Sequence, residues 1–327
     1  MTPTLAIAIL NWNGKHWLEK FLPSVIKHSE GHSIFVIDNA STDDSIHFLT
    51  TNFPSVKIIQ NAGNTGFANG YNEGLRQIEA EIYCLLNSDV EVTENWTKPI
   101  LNLFQHNPNI AAIQPKILSY TDKTMFEFAG AGGGLIDHLG YPYCRGRIFD
   151  VLEKDLGQYD DETEIFWASG CAMFIRSKDF WQQNGFDERF FAHQEEIDLC
   201  WRLKNAGRTI FYTGQSQVYH YGGGTLAKQN PQKTYLNFRN NLSMMLKNLP
   251  FPRLIWLIFI RLCLDGIAGL HLGLKNGFPH LWAVAKAHFG FYAQIPNTLK
   301  RRSKRQISNY YQTKWLIFKH FLGGKKH

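Results

Sequence analysis

The chain has 327 residues, of which 44% are hydrophobic and 14% aromatic, so it can bury a large core and disorder as its main state is excluded. Its net charge of +6 is divided unevenly along the chain. Residues 251–327 contain 13 Lys and Arg residues and one acidic residue, Asp265, whereas the rest of the chain contains 21 basic and 27 acidic residues. An acidic body recruits metal rather than nucleic acid, and a basic, aromatic-rich end is typical of a segment that binds an anionic membrane surface.

Five cysteines are scattered along the chain without a CxxC pair. This pattern indicates neither a disulfide framework nor a zinc site, and a reducing cytoplasm fits it best. We also expect no secretory signal, because the N-terminus enters an apolar strand directly.

The first 115 residues alternate short apolar runs with helix-like stretches. Runs of this length, apolar on both faces, are typical of a parallel sheet that helices cover on both sides. We therefore predict a Rossmann-like half that binds ligands beyond the carboxyl ends of its strands, where Asn11, Asp38, Asn61 and Asp89 fall. The five predicted strands are LAIAIL, SIFVID, VKIIQ, IYCLLNSD and IAAIQPKI.

Residues 126–175 are rich in glycine and irregular, and they are predicted to pass over the sheet as loops and hairpins. A helix is predicted to begin near Glu195, because acids at its start and Arg202 and Lys204 further along match the helix dipole. Gly207 stands where a C-cap would lie.

After Pro250 the apolar residues recur at helical spacing as far as Leu274. The free energy of inserting this segment into a bilayer is near zero. Roughly ten apolar residues contribute about −0.3 to −0.6 kcal/mol each, and Arg261 and Asp265 cost about +2.5 to +3.5 kcal/mol each, so a helix that spans the bilayer is not favoured. Arg261 and Asp265 lie four residues apart and could pair, but an in-plane amphipathic helix explains these two charges better and is expected instead. The run KRRSKR, residues 300–305, would add on the order of 5 kcal/mol of attraction to an anionic surface.

Two loop segments carry polar groups suited to a nucleotide. In VIDNASTDDS, Asp38 ends a strand, and its carboxylate can accept a hydrogen bond from an N–H group of a nucleotide base or from a ribose hydroxyl. In NAGNTGFANGYNEG, four glycines allow backbone amides to approach a phosphate or a sugar closely. Ordinary turn-and-cap chemistry for the first and a glycine-rich connector for the second remain open.

The run LLNSDV ends a predicted buried strand with Asp89. A carboxylate there can ligate a hard cation, Mg²⁺ or Mn²⁺, that also takes diphosphate oxygens. His220, in HYGGGT, can supply a second ligand. Two alternatives remain: the run around Asp89 is an ordinary turn sequence, and His220, one of 13 histidines in the chain, has no role in binding a metal.

The run EEIDLCWRL places three acids within four positions. Crowding of like charges should raise the pKa of at least one of them and suit it to act as a base toward a hydroxyl acceptor. The alternative is a charged helix start that the dipole stabilises.

Together these segments resemble the family 2 glycosyltransferases, inverting enzymes of the GT-A fold, and in particular their rhamnosyltransferase-like branch, over about residues 4–248. The resemblance implies an α/β fold with a mostly parallel sheet and flanking helices. Residues 1–250 would form the transferase domain, and residues 251–327 a helical membrane-associating extension.

The resemblance also implies roles for single residues. Glu196 matches the catalytic base, and Asp187 and Glu188 in GFDERFF look like the acceptor-side loop. Donor binding is implied for Asn11, Asp38, Asn64 and Asp89, and metal ligation for Asp89 and His220.

Two motifs depart from the family pattern. Asn87-Ser88-Asp89 stands where Asp-x-Asp is usual, and Glu195-Glu196 stands where Glu-Asp is usual. We assign Asn87 to the donor side and Glu195 to the acceptor side, and the choice of base among Glu195, Glu196 and Asp198 stays open. Arg202 is expected either to bind the diphosphate or to form a structural salt bridge.

The sequence therefore predicts an inverting, metal-dependent transfer of a hexose or deoxyhexose from a UDP- or dTDP-linked donor to a hydroxyl of a glycan or glycolipid acceptor. The acceptor would be lipid-linked, in cell-surface polysaccharide synthesis, with the enzyme peripheral on the cytoplasmic face of the inner membrane. One alternative is a non-catalytic membrane-bound scaffold with a degenerate donor site. Another is transfer to a polyprenyl phosphate, which needs no base.

Overall fold

The computed structural model describes residues 3–222, 230–317 and 320. The end of the predicted extension, residues 318–319 and 321–327, lies outside the described residues. The same holds for residues 223–225 of the HYGGGT run.

The described chain alternates strands and helices as far as residue 110 and becomes helical after residue 230. The strands are β1 Leu5–Asn11, β2 Ser33–Asp38, β3 Lys57–Gln60, β4 Ile82–Asn87, β5 Val90–Val92, β6 Ile110–Ser119, β7 Gly134–Ile136, β8 Pro142–Cys144, β9 Arg147–Ile148, β10 Val151–Leu152, β11 Glu162–Ile165, β12 Ala172–Arg176 and β13 Thr209–His220. The helices are α1 Lys15–His28, α2 Ser45–Asn52, α3 Gly66–Leu75, α4 Lys98–His106, α5 Ser177–Gln182, a 3₁₀ turn η1 Glu188–Phe190, α6 Glu195–Asn205, α7 Pro231–Asn248, α8 Arg253–Asn276 and α9 Phe278–Lys300.

A sheet of nine strands forms the centre of the fold, in the order β11-β13-β6-β12-β4-β1-β2-β3, with β5 pairing to β13. Strands β3, β2, β1 and β4 are parallel neighbours, and β12 runs antiparallel between β4 and β6. Alternate residues of β1 enter different cores, Ala6 and Ala8 on one side and Ile7 and Ile9 on the other, as the two-residue period of a strand requires. The prediction of a mostly parallel α/β sheet is confirmed.

The glycine-rich segment contributes a second sheet of four short antiparallel strands, β10-β9-β8-β7. This agrees with the predicted hairpins. Gly134 is required there because a Cβ at this position would lie 2.2 Å from the ring of Trp167.

A buried ion-pair network fixes α6 against its neighbours. Lys247 of α7 donates to Asp187 Oδ2 at 2.9 Å and to Asp198 Oδ2 at 2.8 Å, and all three residues are buried. Arg202 donates from Nε to the same Asp198 oxygen at 2.7 Å, and Asn248 donates to Asp198 Oδ1 at 2.9 Å. The network therefore joins α6, α7 and the residue that precedes η1.

Helices α8 and α9 form an antiparallel hairpin that packs on the rest of the protein. Arg261 of α8 donates to Leu139 O at 2.8 Å and to Asp265 Oδ1 at 3.3 Å, and its guanidinium lies 3.6 Å from the centre of the Tyr141 ring. Arg261 and Asp265, which the sequence spacing allows to pair, are therefore paired. By length and composition, α8 is the one helix among the described residues that could cross a membrane.

Two of the five basic residues in the run 300–305 contact the protein itself. Arg301 donates to Asp187 Oδ1 at 3.0 Å, and Arg302 donates to the carbonyl oxygens of Leu246 and Leu249 near the end of α7. Carbonyl groups that have no partner within their own helix attract such donors. The remaining three basic residues, Lys300, Lys304 and Arg305, are exposed.

Replacing Lys247 by Met should lower the free energy of unfolding by about 3–5 kcal/mol, because it removes a shared cation from two buried carboxylates. Urea denaturation at neutral pH measures this. The matched control is Lys15→Met, which removes the surface ion pair with Asp44 and should change stability little. A Lys247→Met loss no larger than that of the control would contradict the role of the network.

Candidate active site

The carboxyl ends of β1 and β2 bring the first two predicted donor residues into contact. Asn11 donates from Nδ2 to Asp38 Oδ1 at 3.0 Å, and Ser41 N–H donates to Asp38 Oδ2 at 2.9 Å. Both side chains are buried. Gly14 leaves room for this contact, because a Cβ there would lie 2.5 Å from Asn11 Oδ1.

Asn64 is exposed and holds the loop that leads into α3. Its Oδ1 accepts from Asn39 Nδ2 at 3.0 Å and from Gly66 N–H at 3.1 Å. Gly66 has a φ of +84°, and a Cβ there would lie 2.5 Å from the Phe191 ring, so glycine is needed both for conformation and for space. This loop therefore lies directly beside the segment that precedes α6.

The predicted metal pair is in direct contact. His220 ends β13, and its Nε2 lies 3.1 Å from Asp89 Oδ1 and 3.3 Å from Asn87 Nδ2. On the other side of the ring, Nδ1 lies 3.1 Å from Glu127 Oε2. Sequence reasoning missed Glu127, whose only signal was an acid between two phenylalanines in the glycine-rich segment.

The charge of this pair follows from its surroundings. Burial favours a neutral imidazole, but the Cys171 sulfur and the Asp89 and Glu127 carboxylates outweigh it and hold the pKa of His220 well above its usual value. Burial alone would raise the pKa of Asp89, yet His220 and backbone N–H groups keep it below its usual value. Asp89 and His220 thus form a charged acid–base pair, and Glu127 supplies a second carboxylate on the other side of the ring.

The first turn of α6 carries the candidate bases. Among the described residues, Oε2 of Glu195 and Oε2 of Glu196 are buried and have no hydrogen-bond partner. Burial raises the pKa of Glu196 to about 7. Burial, followed by the charge of Glu196, raises the pKa of Glu195 well above its usual value. The expected shift is therefore present, but burial contributes more to it than the crowding of like charges.

Two consecutive residues connect the acids of α6 to the metal pair. A Cβ on Gly170 would lie 3.3 Å from the Phe67 ring and 3.9 Å from Glu196 Cβ. The side chain of the next residue, Cys171, is in hydrogen-bond contact with His220. The backbone carbonyl of Cys171 accepts a hydrogen bond from Asn87 N–H at 2.9 Å. Glu196 and His220 are consequently both close to the residues that immediately precede β12.

Comparisons with known proteins show the family of this chain. A family model described as Glycosyl transferase family 2 matches residues 6–180, more than half of the chain. The chain belongs to glycosyl transferase family 2. The predicted family resemblance is confirmed, and the protein is a glycosyltransferase.

Among the relatives, an N-acetylglucosaminyl-diphospho-decaprenol L-rhamnosyltransferase of Mycobacterium tuberculosis is 25% identical over 238 residues, which are 68% of this chain and 77% of that protein. The low-salt glycan biosynthesis hexosyltransferase Agl10 of Haloferax volcanii is 25% identical over 248 residues, covering 73% and 75% of the two chains. The crystal structure of GalNAc-T7 with UDP, GalNAc and Mn²⁺ shares the fold, with a TM-score of 0.60 and 14% identity over 76% of this chain and 49% of that one. The GT-A fold prediction is confirmed.

In this family 2 glycosyltransferase, the ligand set for a divalent cation is small. No group of three His, Cys, Asp or Glu side chains in the described part of the chain is placed to hold a metal ion. Asp89 and His220 Nε2 nevertheless point at one another, so a cation in place of the shared proton would meet both. Glu127 would stay on Nδ1, an arrangement that orients a ligating imidazole. The pair therefore fits a cation that takes its other ligands from diphosphate and water.

The structure holds two of the predicted site residues, Arg202 and Asp187, in ion pairs. Arg202 is buried, and its three nitrogens donate to Asp198 and to the carbonyls of Gln183 and Gly185. These contacts favour the salt-bridge alternative over diphosphate binding. The Asp187 carboxylate contacts Lys247, Arg189 and Arg301, whereas Glu188 beside it is exposed.

The raised pKa of Glu196 predicts a specific dependence of stability on pH. Its folded value is about 7 against an ordinary value of 4.5, so between these pH values the folded protein keeps a proton that the unfolded chain has released. Stability should therefore fall as pH rises through this window, by up to about 3 kcal/mol. The double variant Glu195→Gln/Glu196→Gln does not titrate there, so its advantage in urea unfolding over the wild type should be larger at pH 8 than at pH 5. An advantage independent of pH would show that these carboxyls titrate normally.

Proposed function

We propose that this glycosyltransferase moves a hexose or deoxyhexose from a nucleoside-diphosphate sugar, UDP- or dTDP-linked, to a hydroxyl of a lipid-linked glycan, with inversion at the anomeric carbon. The observation that carries the proposal is the Glu196 carboxyl. Its Oε2 is buried and has no hydrogen-bond partner among the described residues. Its Cβ lies 3.9 Å from the position of a Cβ on Gly170, and the next residue, Cys171, contacts His220 of the Asp89–His220 pair. A base beside a diphosphate-binding edge is what transfer to an alcohol requires.

The donor side would use the strand-end residues. Asn11 and Asp38 would shape the nucleoside pocket, Asn64 would hold the loop above it, and Asn87 would lie beside the diphosphate. Asp89 and His220 would hold Mg²⁺ or Mn²⁺, which when bound neutralises charge on the departing diphosphate. The Mn²⁺ in the GalNAc-T7 structure supports this choice of cation.

On the acceptor side, Glu196 would take the proton from the acceptor hydroxyl. The freed oxygen forms a bond to the anomeric carbon as the bond from that carbon to the diphosphate breaks, and the nucleoside diphosphate leaves with the electron pair. Attack from the face opposite the leaving group gives inversion. Glu195 and the exposed Glu188 would contact the acceptor, while Asp187 would hold the acceptor-side loop through its ion pairs rather than touch the sugar.

The relatives support an acceptor at a membrane and a role in building surface glycans. The Mycobacterium tuberculosis protein acts, by its name, on a decaprenol-linked sugar, and the Haloferax volcanii protein on a glycan. The basic C-terminal region agrees with a peripheral location on the cytoplasmic face, where anionic headgroups attract such segments. The unpaired acids of α6 favour a hydroxyl acceptor over a polyprenyl phosphate, since a phosphate needs no base.

Replacing Glu196 by Gln should lower kcat by about 10²- to 10⁴-fold and leave donor affinity unchanged, because the amide cannot take a proton. Sugar transfer to a lipid-linked acceptor and calorimetric binding of the nucleotide measure the two effects separately. The matched control is the exposed Glu79→Gln, for which neither quantity should change.

Comparison with Glu195→Gln identifies the base. A larger loss of kcat in Glu195→Gln than in Glu196→Gln would move the assignment to Glu195. Unchanged turnover in both variants would refute a carboxylate base on α6.

Replacing Glu127 by Gln should weaken the affinity for Mn²⁺ by about 10- to 100-fold, because it removes the carboxylate that orients His220. Titration of Mn²⁺ in the presence of nucleoside diphosphate, followed by the paramagnetic resonance of free Mn²⁺, measures this. The exposed Glu30→Gln serves as the control. Equal affinity in both variants would mean that His220 is not a ligand.

A further inference from the structure

Exposed large hydrophobic side chains are concentrated on the α8–α9 hairpin. Of the 18 such side chains in the described residues, 12 lie between Phe251 and Leu299. Large exposed apolar surfaces of this kind mark sites that bind a protein, a ligand or a membrane.

Helix α8 has two distinct faces. The inward face is buried and consists of Leu254, Leu257, Arg261, Asp265 and Gly269. The outward face is exposed and almost entirely apolar, with Ile255, Trp256, Phe259, Ile267, Leu270 and Leu274. A helix that crosses a bilayer alone would expose both faces to lipid, but here the inward face is already in use.

The inward polar pair ties α8 to the transferase body. Arg261 reaches Leu139 O and the Tyr141 ring, and Tyr141 OH lies 3.5 Å from Asp265 Oδ1. Crossing a bilayer would break these contacts and carry both charges into lipid, which is costly at the centre of a helix.

Helix α9 adds to the same outward surface. It packs closely on α8 because a Cβ on Gly269 would lie 3.2 Å from Val284, and one on Gly273 would lie 3.0 Å from Leu281. Its exposed aromatic residues are Phe278, Trp282, Phe289 and Tyr292. Aromatic side chains of this type are favoured at the boundary between headgroups and acyl chains.

The charge around this surface points to one occupant. Asp265 is the sole acid in residues 251–327, and it is buried. The described charged residues that remain exposed on and beside α8 and α9 are basic and include Lys275, Lys286, Lys300, Lys304 and Arg305. An apolar face with a basic rim is complementary to an anionic phospholipid surface.

We propose that α8 and α9 form a monotopic membrane-binding hairpin, which lies in the plane of an anionic bilayer and does not cross it. The inference rests on the membrane location in the proposed function and adds the mode of binding. The hairpin buries its outward face at the boundary between headgroups and acyl chains. Because Arg301 after α9 contacts Asp187, the same hairpin holds the acceptor-side loop close to the membrane.

The chain contains its own depth probe. Cys263 is exposed, whereas the other four cysteines are buried. It lies near the middle of α8 on the outward face, so a spanning α8 would place it at the bilayer centre. An in-plane α8 would keep it near the headgroups.

The experiment labels Cys263 of the full-length protein with an environment-sensitive fluorophore. The protein is then added to phosphatidylcholine vesicles with and without phosphatidylglycerol, carrying nitroxide quenchers either near the headgroup or near the acyl-chain end. We expect binding that requires the anionic lipid, and stronger quenching by the shallow nitroxide. Stronger quenching by the deep nitroxide overturns the in-plane mode while leaving the membrane location intact. If the wild-type protein does not bind the vesicles, both the in-plane mode and the membrane location are overturned. The proposed transferase activity is tested independently, by nucleotide binding and turnover.

A pair of variants tests the surface itself. The double variant Trp256→Ser/Phe259→Ser should reduce vesicle binding at least tenfold with an unchanged thermal melt, since both side chains are exposed. The control is Leu156→Ser, which removes an exposed apolar side chain outside the hairpin and should bind as the wild type does. Equal binding by the two variants would place the membrane contact elsewhere.

Discussion

Lys247 lies between the carboxylates of Asp187 and Asp198, and the positions of the base, the acceptor-side loop and the C-terminal helices depend on this one cation. Burying two carboxylates together without a shared cation would be strongly unfavourable, so α7 must pack against α6 in one register. Arg202 and Asn248 also donate hydrogen bonds to the Asp198 carboxylate. With α6 fixed in this way, its first turn must face the carboxyl edge of the sheet.

This constraint separates three acids that look alike in the sequence. Asp198 is used in the ion-pair network, whereas Glu195 and Glu196 each keep a buried oxygen without a partner among the described residues. A carboxyl group that is buried but unpaired holds its proton more tightly and can act as a base near neutral pH. The same network reaches Arg301 after the hairpin, so α9 is physically joined to the loop that contains Asp187.

The sheet and the carboxyl-edge residues could be predicted because apolar runs and strand-end polar residues are local patterns. Ligand chemistry and the family resemblance suggested that Asp89 and His220 act together, but their contact could not be read from a local pattern, since 131 positions separate them and β13 brings them together. Glu127 could not be predicted, because an irregular segment gives no periodicity from which to place a side chain. The ion pairs of Asp187 and the hydrogen bonds of Arg302 to the carbonyls of Leu246 and Leu249 were also beyond the sequence, which shows a charge but not whether tertiary packing holds it against a partner. For Arg202 the sequence left the salt bridge and diphosphate binding open.

The central claim is that Asp89 and His220 hold a metal-bound nucleoside diphosphate at the carboxyl edge of the sheet. Calorimetric titration of UDP, dTDP and GDP into the full-length protein, with and without Mn²⁺, tests it most directly. The account predicts that one nucleotide binds, that binding needs the metal, and that Asp89→Asn abolishes it while the control Glu30→Gln does not. Absence of binding by all three nucleotides, or binding that is the same without metal and in Asp89→Asn, would contradict the claim.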